Sequence, residues 1–87
     1  MWSFERTDKF IKQSEKLDTI TKKKLRDALK ILAKSEKPSS LGDYKKSLGI
    51  FAYKLNQSVR LLYAINWNDE IIELIRVGDH KQVYGKG

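Results

Sequence analysis

Residues 51–66 read FAYKLNQSVRLLYAIN, and this stretch decides the predicted fold. Apolar and polar residues alternate on both sides of the turn-forming tripeptide NQS, which is typical of two antiparallel strands joined as a hairpin. With Gln57 at the apex of the loop, Lys54 lies opposite Arg60. The apolar residues of the two strands then share one face, in the pairs Phe51–Tyr63, Tyr53–Leu61 and Leu55–Val59.

This register leaves two cations directly opposed on the other face of the hairpin, which costs stability unless a bound anion compensates them. A shorter loop would instead place Lys54 and Arg60 on opposite faces of the sheet. The first register gives the more consistent apolar face, and it is the one we predict.

The N-terminal half predicts a short strand followed by two amphipathic helices. The strand is WSFER, and Thr7 or Asp8 then caps a first helix. A second helix begins near Asp18 or Thr19. The apolar residues at helical spacing are Phe10, Ile11 and Leu17 in the first helix and Leu25, Ala28, Leu29, Leu32 and Ala33 in the second.

The segment SEKPSSLGDYKKSLG is rich in turn-forming residues and ends the second helix. After it, the hairpin and the stretch IIELIRV predict a meander, whose middle strand at residues 59–65 is apolar on nearly both faces and therefore central. The predicted fold is α+β, in the order β-α-α-β-β-β: an N-terminal strand, an antiparallel helical hairpin and a three- or four-stranded antiparallel meander. Residues 1–87 are predicted to form this single domain, with the helices on one face of the sheet.

The composition favours a polyanionic partner. The chain has 87 residues, with 18 Lys and Arg against 11 Asp and Glu, and a formal net charge of +7. Such an excess on a small domain is typical of nucleic-acid binding, although a solvated lysine surface gives the same count. The chain has no cysteine, so a thiolate metal site is excluded. With neither a signal peptide nor a membrane-length apolar run in the sequence, we expect a soluble, cytoplasmic protein.

Two longer stretches resemble the RelE/ParE superfamily of toxins from type II toxin–antitoxin modules, on the RelE side. YKLNQSVRLLYAI is similar to the paired strands of that family, and IIELIRVGDHKQVY is similar to its C-terminal ending. The resemblance covers nearly the whole chain. It implies a RelE-like fold and an endoribonuclease, an mRNA interferase that cleaves messenger RNA on the ribosome and so inhibits translation.

The resemblance also implies four catalytic residues, which are Lys54, Arg60, His80 and Tyr84. The reaction needs a ligand for the phosphate, proton transfer and a group that positions a base. Arginine suits the phosphate, and histidine is the side-chain type that exchanges a proton near neutral pH. Which of Lys54 and His80 would be base and which acid stays open. His80 stands where many members have arginine, so the division of roles in any one member need not transfer.

Other basic residues are predicted to bind RNA around this site. They are Arg76, Lys81, Lys45, Lys46, Lys22, Lys23 and Arg26. The face of Arg76 is not fixed by the pattern, because its strand is apolar on both sides. No cofactor or metal is implied.

The resemblance implies three partners: a cognate acidic antitoxin, messenger RNA and the ribosome. We expect a monomer that forms a hetero-oligomer with the antitoxin and has no membrane partner. Two other functions remain open: a ParE-like toxin that binds DNA gyrase, and a non-catalytic nucleic-acid-binding relative.

Overall fold

Five strands form one sheet in the computed structural model, which describes residues 1–85. The strands are β1 (Ser3–Arg6), β2 (Asp43–Lys45), β3 (Ile50–Lys54), β4 (Val59–Asn66) and β5 (Ile71–Asp79). Their order in the sheet is β1-β5-β4-β3-β2. β1 runs parallel to β5, and the other neighbours are antiparallel. The predicted α+β class, element order and central position of β4 are confirmed, and the meander has four strands. The strand β2 lies within the segment predicted only as turns.

Two helices, α1 (Asp8–Glu15) and α2 (Thr19–Lys34), cover one face of the sheet. Thr7 Oγ1 accepts a hydrogen bond from the N–H of Phe10 at 3.0 Å, and Asp18 Oδ1 accepts one from Thr21 at 2.7 Å. The second bond lowers the pKa of the Asp18 carboxyl. Both caps were among the predicted alternatives. Leu17, predicted to lie in the first helix, follows its end and packs against the core from the connection.

The hairpin register predicted from the sequence is confirmed. Lys54 pairs with Arg60, and the predicted apolar pairs Phe51–Tyr63, Tyr53–Leu61 and Leu55–Val59 belong to the core under α1 and α2. Asn56 shapes the loop, because its Oδ1 accepts hydrogen bonds from the N–H groups of Ser58 and Val59, both at 2.8 Å. The two cations are therefore opposed on the face of the sheet that α1 and α2 do not cover.

A third helix, α3 (His80–Tyr84), packs on that second face, so the helices are not all on one side as predicted. Val83 is buried there in a small cluster with Ile50, Ala52 and Leu62. A five-residue helix is too short to show a helical period in the sequence, which is why the pattern did not predict it.

Tyr63 on β4 lies at the centre of the main core and is fully buried. Its hydroxyl donates to the carbonyl of Pro38 at 2.7 Å, which satisfies a buried acceptor in the 3-10 turn after α2. Gly42 allows this contact, because a Cβ atom there would lie 2.7 Å from the Tyr63 hydroxyl oxygen. Within the described residues, no helix is both long and apolar enough to span a bilayer.

Tyr63→Phe should lower the free energy of unfolding by about 1–3 kcal/mol at neutral pH, because the buried carbonyl of Pro38 loses its donor. Burial raises the pKa of Tyr63 from 10.0 to about 12. The unfolded phenol therefore ionises first, and the wild type should lose about 2–3 kcal/mol of stability as the pH rises from about 10 to 12.

Urea unfolding at several pH values checks both effects. The gap between wild type and Tyr63→Phe should shrink above about pH 10. Tyr44→Phe, which changes an exposed tyrosine, is the control and should stay within about 0.5 kcal/mol of wild type. A gap that is constant with pH would contradict the assigned pKa.

Candidate functional site

The position of α3 is fixed at its first turn. Asp79 Oδ1 accepts from the N–H of Gln82 at 2.9 Å, and Gln82 Oε1 accepts from the N–H of Asp79 at 2.8 Å, which is a complete capping box. Gly78, with φ of +156°, precedes it. A Cβ atom at this position would overlap Gln82 Oε1 and lie 2.8 Å from Gln82 Cβ, so glycine is required for the box to close.

The second half of β5 is bound to α1 through side chains. β1 ends opposite Leu74, and beyond it Thr7 Oγ1 donates to the carbonyl of Ile75 at 2.7 Å. Gln13 Oε1 accepts from the N–H of Val77 at 3.0 Å, while Gln13 Nε2 donates to the carbonyl of Gln82 at 2.9 Å. Gln13 therefore connects α1, β5 and α3.

A cleft of about 800 Å³ opens between α3, the hairpin loop and the segment from β2 to β3. Five predicted site residues from three elements line it. Arg60, His80 and Tyr84 are from the predicted catalytic set, and Lys45 and Lys81 are from the predicted RNA-binding set. A cleft of this volume is in the range of small-ligand sites, and its basic and aromatic side chains suit a nucleotide.

Arg60 is half-buried on the cleft side of β4. Its Nη1 donates to the carbonyl of Asn56 at 2.7 Å, with longer contacts to Gln57 at 3.4 Å and Val59 at 3.3 Å. Within residues 1–85 its hydrogen bonds all use Nη1. The loop therefore orients the guanidinium and leaves Nε and Nη2 able to donate to an anion.

His80 and Tyr84 lie one turn apart on α3, with ring centroids 4.8 Å apart and an interplanar angle of 47°. His80 is exposed, whereas Tyr84 is half-buried and also packs against the small cluster under α3. The two rings line the cleft together with Arg60. This arrangement places a proton-exchanging side chain and an aromatic surface beside a cation.

The other predicted residues are not part of the cleft lining. Lys54 is exposed beside the cleft, opposite Arg60, and Lys46 lies in the turn after β2. A bulge beside Leu62 turns Arg76 toward α3, where its Nη1 donates to the carbonyl of Val83 at 3.3 Å. The remaining three predicted residues lie on the exposed side of α2, across the sheet from the cleft: Lys22, Lys23 and Arg26.

Sequence reasoning missed two carboxylates that line the cleft, Asp43 and Asp79. Asp79 caps α3, and the motif D-x-x-Q at residues 79–82 is the signal that could have revealed this cap. Asp43 lies on the short strand β2, whose three residues are too few to show an alternating pattern. Among residues 1–85 there is no group of three or more His, Cys, Asp or Glu side chains that could bind a metal ion.

Comparison with known families gives a match over nearly the whole chain. The family described as "ParE toxin of type II toxin-antitoxin system, parDE" matches residues 3–84. Comparison with curated protein sequences gives no significant match.

Several solved structures share the fold. A chain of the intact Escherichia coli RelBE toxin–antitoxin complex has a TM-score of 0.77 at 18% identity, covering 91% of this chain and 96% of that one. A metal-bound toxin from Helicobacter pylori has a TM-score of 0.73 at 22% sequence identity, covering 95% of this chain and 99% of that one. A chain of the YoeB-YefM complex from Staphylococcus aureus has a TM-score of 0.71 at 17% sequence identity, covering 92% of this chain and 98% of that one. At these identities the likeness is one of fold.

The close packing at Gly78 predicts that Gly78→Ala is more destabilising than Gly49→Ala. Both glycines have positive φ, but a Cβ atom at Gly49 would meet nothing within 4 Å. We expect a loss of about 1 kcal/mol at Gly49 from backbone strain alone. We expect about 2–3 kcal/mol at Gly78, because the capping box is lost as well.

Chemical denaturation measures the two losses, and backbone amide NMR signals of α3 report whether the helix is displaced. Equal losses for the two variants, with the α3 signals unchanged, would contradict the required contact between Gly78 and Gln82.

Proposed function

This chain belongs to the ParE toxin family of type II toxin–antitoxin systems, within the RelE/ParE superfamily, and we propose that it is an endoribonuclease that cleaves messenger RNA on the ribosome. The observation that carries the proposal is the cleft, which combines Arg60, His80 and Tyr84 from two elements that are separate in the chain. A cation, a proton-exchanging group and an aromatic ring are the side-chain types that RNA cleavage requires.

The proposed reaction is an internal transfer at one phosphate. The ribose 2′-hydroxyl loses its proton to a base, and its oxygen forms a bond to the adjacent phosphorus. The bond from phosphorus to the 5′-oxygen breaks, and that oxygen accepts a proton. The products are a 2′,3′-cyclic phosphate and a free 5′-hydroxyl, so no external reactant is consumed.

Each residue has a role in this proposal. Arg60 binds the scissile phosphate, because its guanidinium is oriented by the hairpin loop and donates to phosphate oxygens in a planar fork. His80 transfers a proton, and Tyr84 stacks against a base. Lys54, which lies beside the cleft, contacts a phosphate at its margin. Asp43 is an exposed carboxylate of the cleft that does not cap a helix, unlike Asp79, and it can supply the second proton-transfer group.

A second candidate function is binding to DNA gyrase without RNA cleavage. The observation that favours it is the family that matches, which is the ParE family. The two functions differ in what they need from the cleft. RNA cleavage requires a phosphate ligand and a proton-exchanging ring that line the same cleft, whereas binding a protein does not. The experiments below separate them.

We also propose that an acidic antitoxin neutralises the toxin. Relatives with this fold were crystallised in toxin–antitoxin complexes. The net charge of +7 favours an acidic partner. The sheet has an exposed edge at β2, beside the exposed side chains of Tyr44 and Leu48, where an added strand could pair.

Arg60→Ala should reduce cleavage of ribosome-bound message by about 100- to 1000-fold, because one donor to the developing negative charge is lost. His80→Ala should reduce it by about 100- to 10,000-fold and remove the dependence of the rate on pH near neutrality. Single-turnover cleavage on programmed ribosomes measures both. Lys54→Ala should have a smaller effect, because Lys54 does not line the cleft.

Three controls accompany these variants. Arg60→Lys keeps the charge without the fork and should recover only part of the rate. Added imidazole should partly restore His80→Ala, and EDTA should leave the wild-type rate unchanged. If His80→Ala cleaves at the wild-type rate and with the wild-type pH profile, His80 does not transfer the proton. Loss of supercoiling by gyrase, without RNA cleavage, would favour the second function.

We expect a small acidic protein to be encoded beside this gene, and its co-expression should give a stable complex and relieve growth arrest. The association rate should fall as salt increases, because opposite charges steer the encounter. Stopped-flow mixing of the antitoxin with His80→Ala, which is expected to be less toxic, measures that rate. Absence of a complex, together with growth arrest that the adjacent protein does not relieve, would contradict the toxin–antitoxin pairing.

A further inference from the structure

A second, strongly basic groove lies on the other side of α3. It has a volume of about 520 Å³ and runs between α1 and α3. Five of its eight lining residues are cations, namely Lys9, Lys12, Lys16, Arg76 and Lys81. The other three are Gln13, Gln82 and Gly85. Among residues 1–85, neither a carboxylate nor an apolar side chain lines this groove.

Three of these cations form a row on α1. Lys9, Lys12 and Lys16 are spaced three and four residues apart, so they project from one exposed side of the helix. Neighbours at this spacing lie about 5–6 Å apart, and like charges there destabilise a helix. An anion with several charges along its length would remove that repulsion.

The groove and the cleft are adjacent. Lys81 lines both, so a cation on α3 connects them. Gln13 sets the spacing between α1 and α3, because its amide bonds both β5 and the carbonyl of Gln82. Arg76 contributes from beneath α3, where it is half-buried and bonded to the carbonyl of Val83. A basic track thus continues from the cleft across α3 to α1.

We propose that this groove binds the backbone phosphates of the same RNA strand whose scissile phosphate lies in the cleft. The inference rests on the proposed function, which supplies the RNA in the cleft. It assigns Lys9, Lys12 and Lys16 to a phosphate-binding subsite that positions the strand. They do not take part in bond cleavage.

The lining favours RNA over an acidic segment of a protein partner. Protein interfaces derive most of their affinity from apolar and aromatic anchors in a dry centre. A groove without an apolar side chain offers no place for such an anchor. A phosphate backbone needs only cations and hydrogen-bond donors, which the lysines, the arginine and the two glutamine amides provide.

The test compares two triple variants of the full chain. Lys9→Gln/Lys12→Gln/Lys16→Gln removes the row on α1. Lys24→Gln/Lys30→Gln/Lys34→Gln removes the same charge from exposed positions of α2 that lie outside the groove and outside the predicted RNA-binding set. Glutamine has a helix propensity close to that of lysine, and all six positions are exposed, so both variants should stay folded.

The probe is a single-stranded 2′-O-methyl RNA, which binds but lacks the nucleophile needed for cleavage. The α1 variant should bind it about 100-fold more weakly at about 0.1 M salt, and its log–log salt slope should be shallower by about 2, for three lost phosphate contacts. The α2 variant should bind much as the wild type does. A dinucleotide, which fits the cleft alone, should bind the α1 variant and the wild type similarly.

Cleavage of unmodified RNA separates this inference from the proposed function. The α1 variant should show a raised KM with kcat retained, because the groove does not contact the scissile phosphate. If the wild type does not cleave, yet the α1 variant alone loses affinity for the longer probe, the proposed function fails and the RNA-binding groove stands. Equal losses of RNA affinity in both triple variants would indicate that diffuse surface charge binds the RNA, and would contradict the proposed subsite. A loss of antitoxin affinity in the α1 variant, with its RNA affinity unchanged, would contradict it as well.

Discussion

The geometry of the cleft and of the groove depends on the hydrogen bonds that Thr7 and α1 make to the free edge of β5. β1 pairs with β5 only as far as Leu74, and the remaining length of that edge would otherwise face water. Thr7 and Gln13 replace the missing strand by bonding Ile75 and Val77 directly. Gln13 then reaches the carbonyl of Gln82 with its second amide group. One side chain therefore connects α3 to both α1 and β5 and limits how far the two helices lie apart. A helix of one turn could not fix this position by itself, because its own hydrogen bonds are too few.

The site residues are positioned by elements of unequal stability. Arg60 extends from the central strand and is oriented by loop carbonyls, whereas His80 and Tyr84 depend on α3. The helix α3 is bound by its capping box, by Gln13 and by the burial of Val83. Local opening costs least where few contacts must break. We therefore expect Arg60, the proposed phosphate ligand, to be the rigid part of the cleft. His80 and Tyr84, for which proton transfer and stacking are proposed, are the part that can move away together.

The sequence predicted those features that depend on neighbours in the chain. The register of the hairpin followed from its alternating pattern, and the caps at Thr7 and Asp18 followed from side-chain chemistry. It did not predict α3, the bulge that turns Arg76 toward α3, or the parallel pairing of β1. These three features depend on residues that are far apart in the chain. A bulge in a strand that is apolar on both faces also does not change the alternation of apolar and polar residues, so the sequence pattern does not reveal it. The sequence also did not predict a role for Lys9, Lys12 and Lys16, because lysines at helical spacing are typical of any solvated helix face. Only the packing of α3 beside α1 makes them one wall of a groove.

Fold similarity does not choose between the two candidate functions, because one scaffold can support unrelated activities. The distribution of charge is more informative. Five cations line the groove between α1 and α3, whose lining within residues 1–85 has no apolar side chain. The positive charge continues through Lys81 into a cleft that contains a histidine and a tyrosine in contact. A surface that binds only a folded protein gains little from such a track, since buried cations without partners cost desolvation energy at an interface. A flexible strand of phosphates can follow the track across α3 and neutralise it along its whole length. The charge pattern and the chemistry of the cleft therefore both support the proposal that the substrate is a single-stranded nucleic acid.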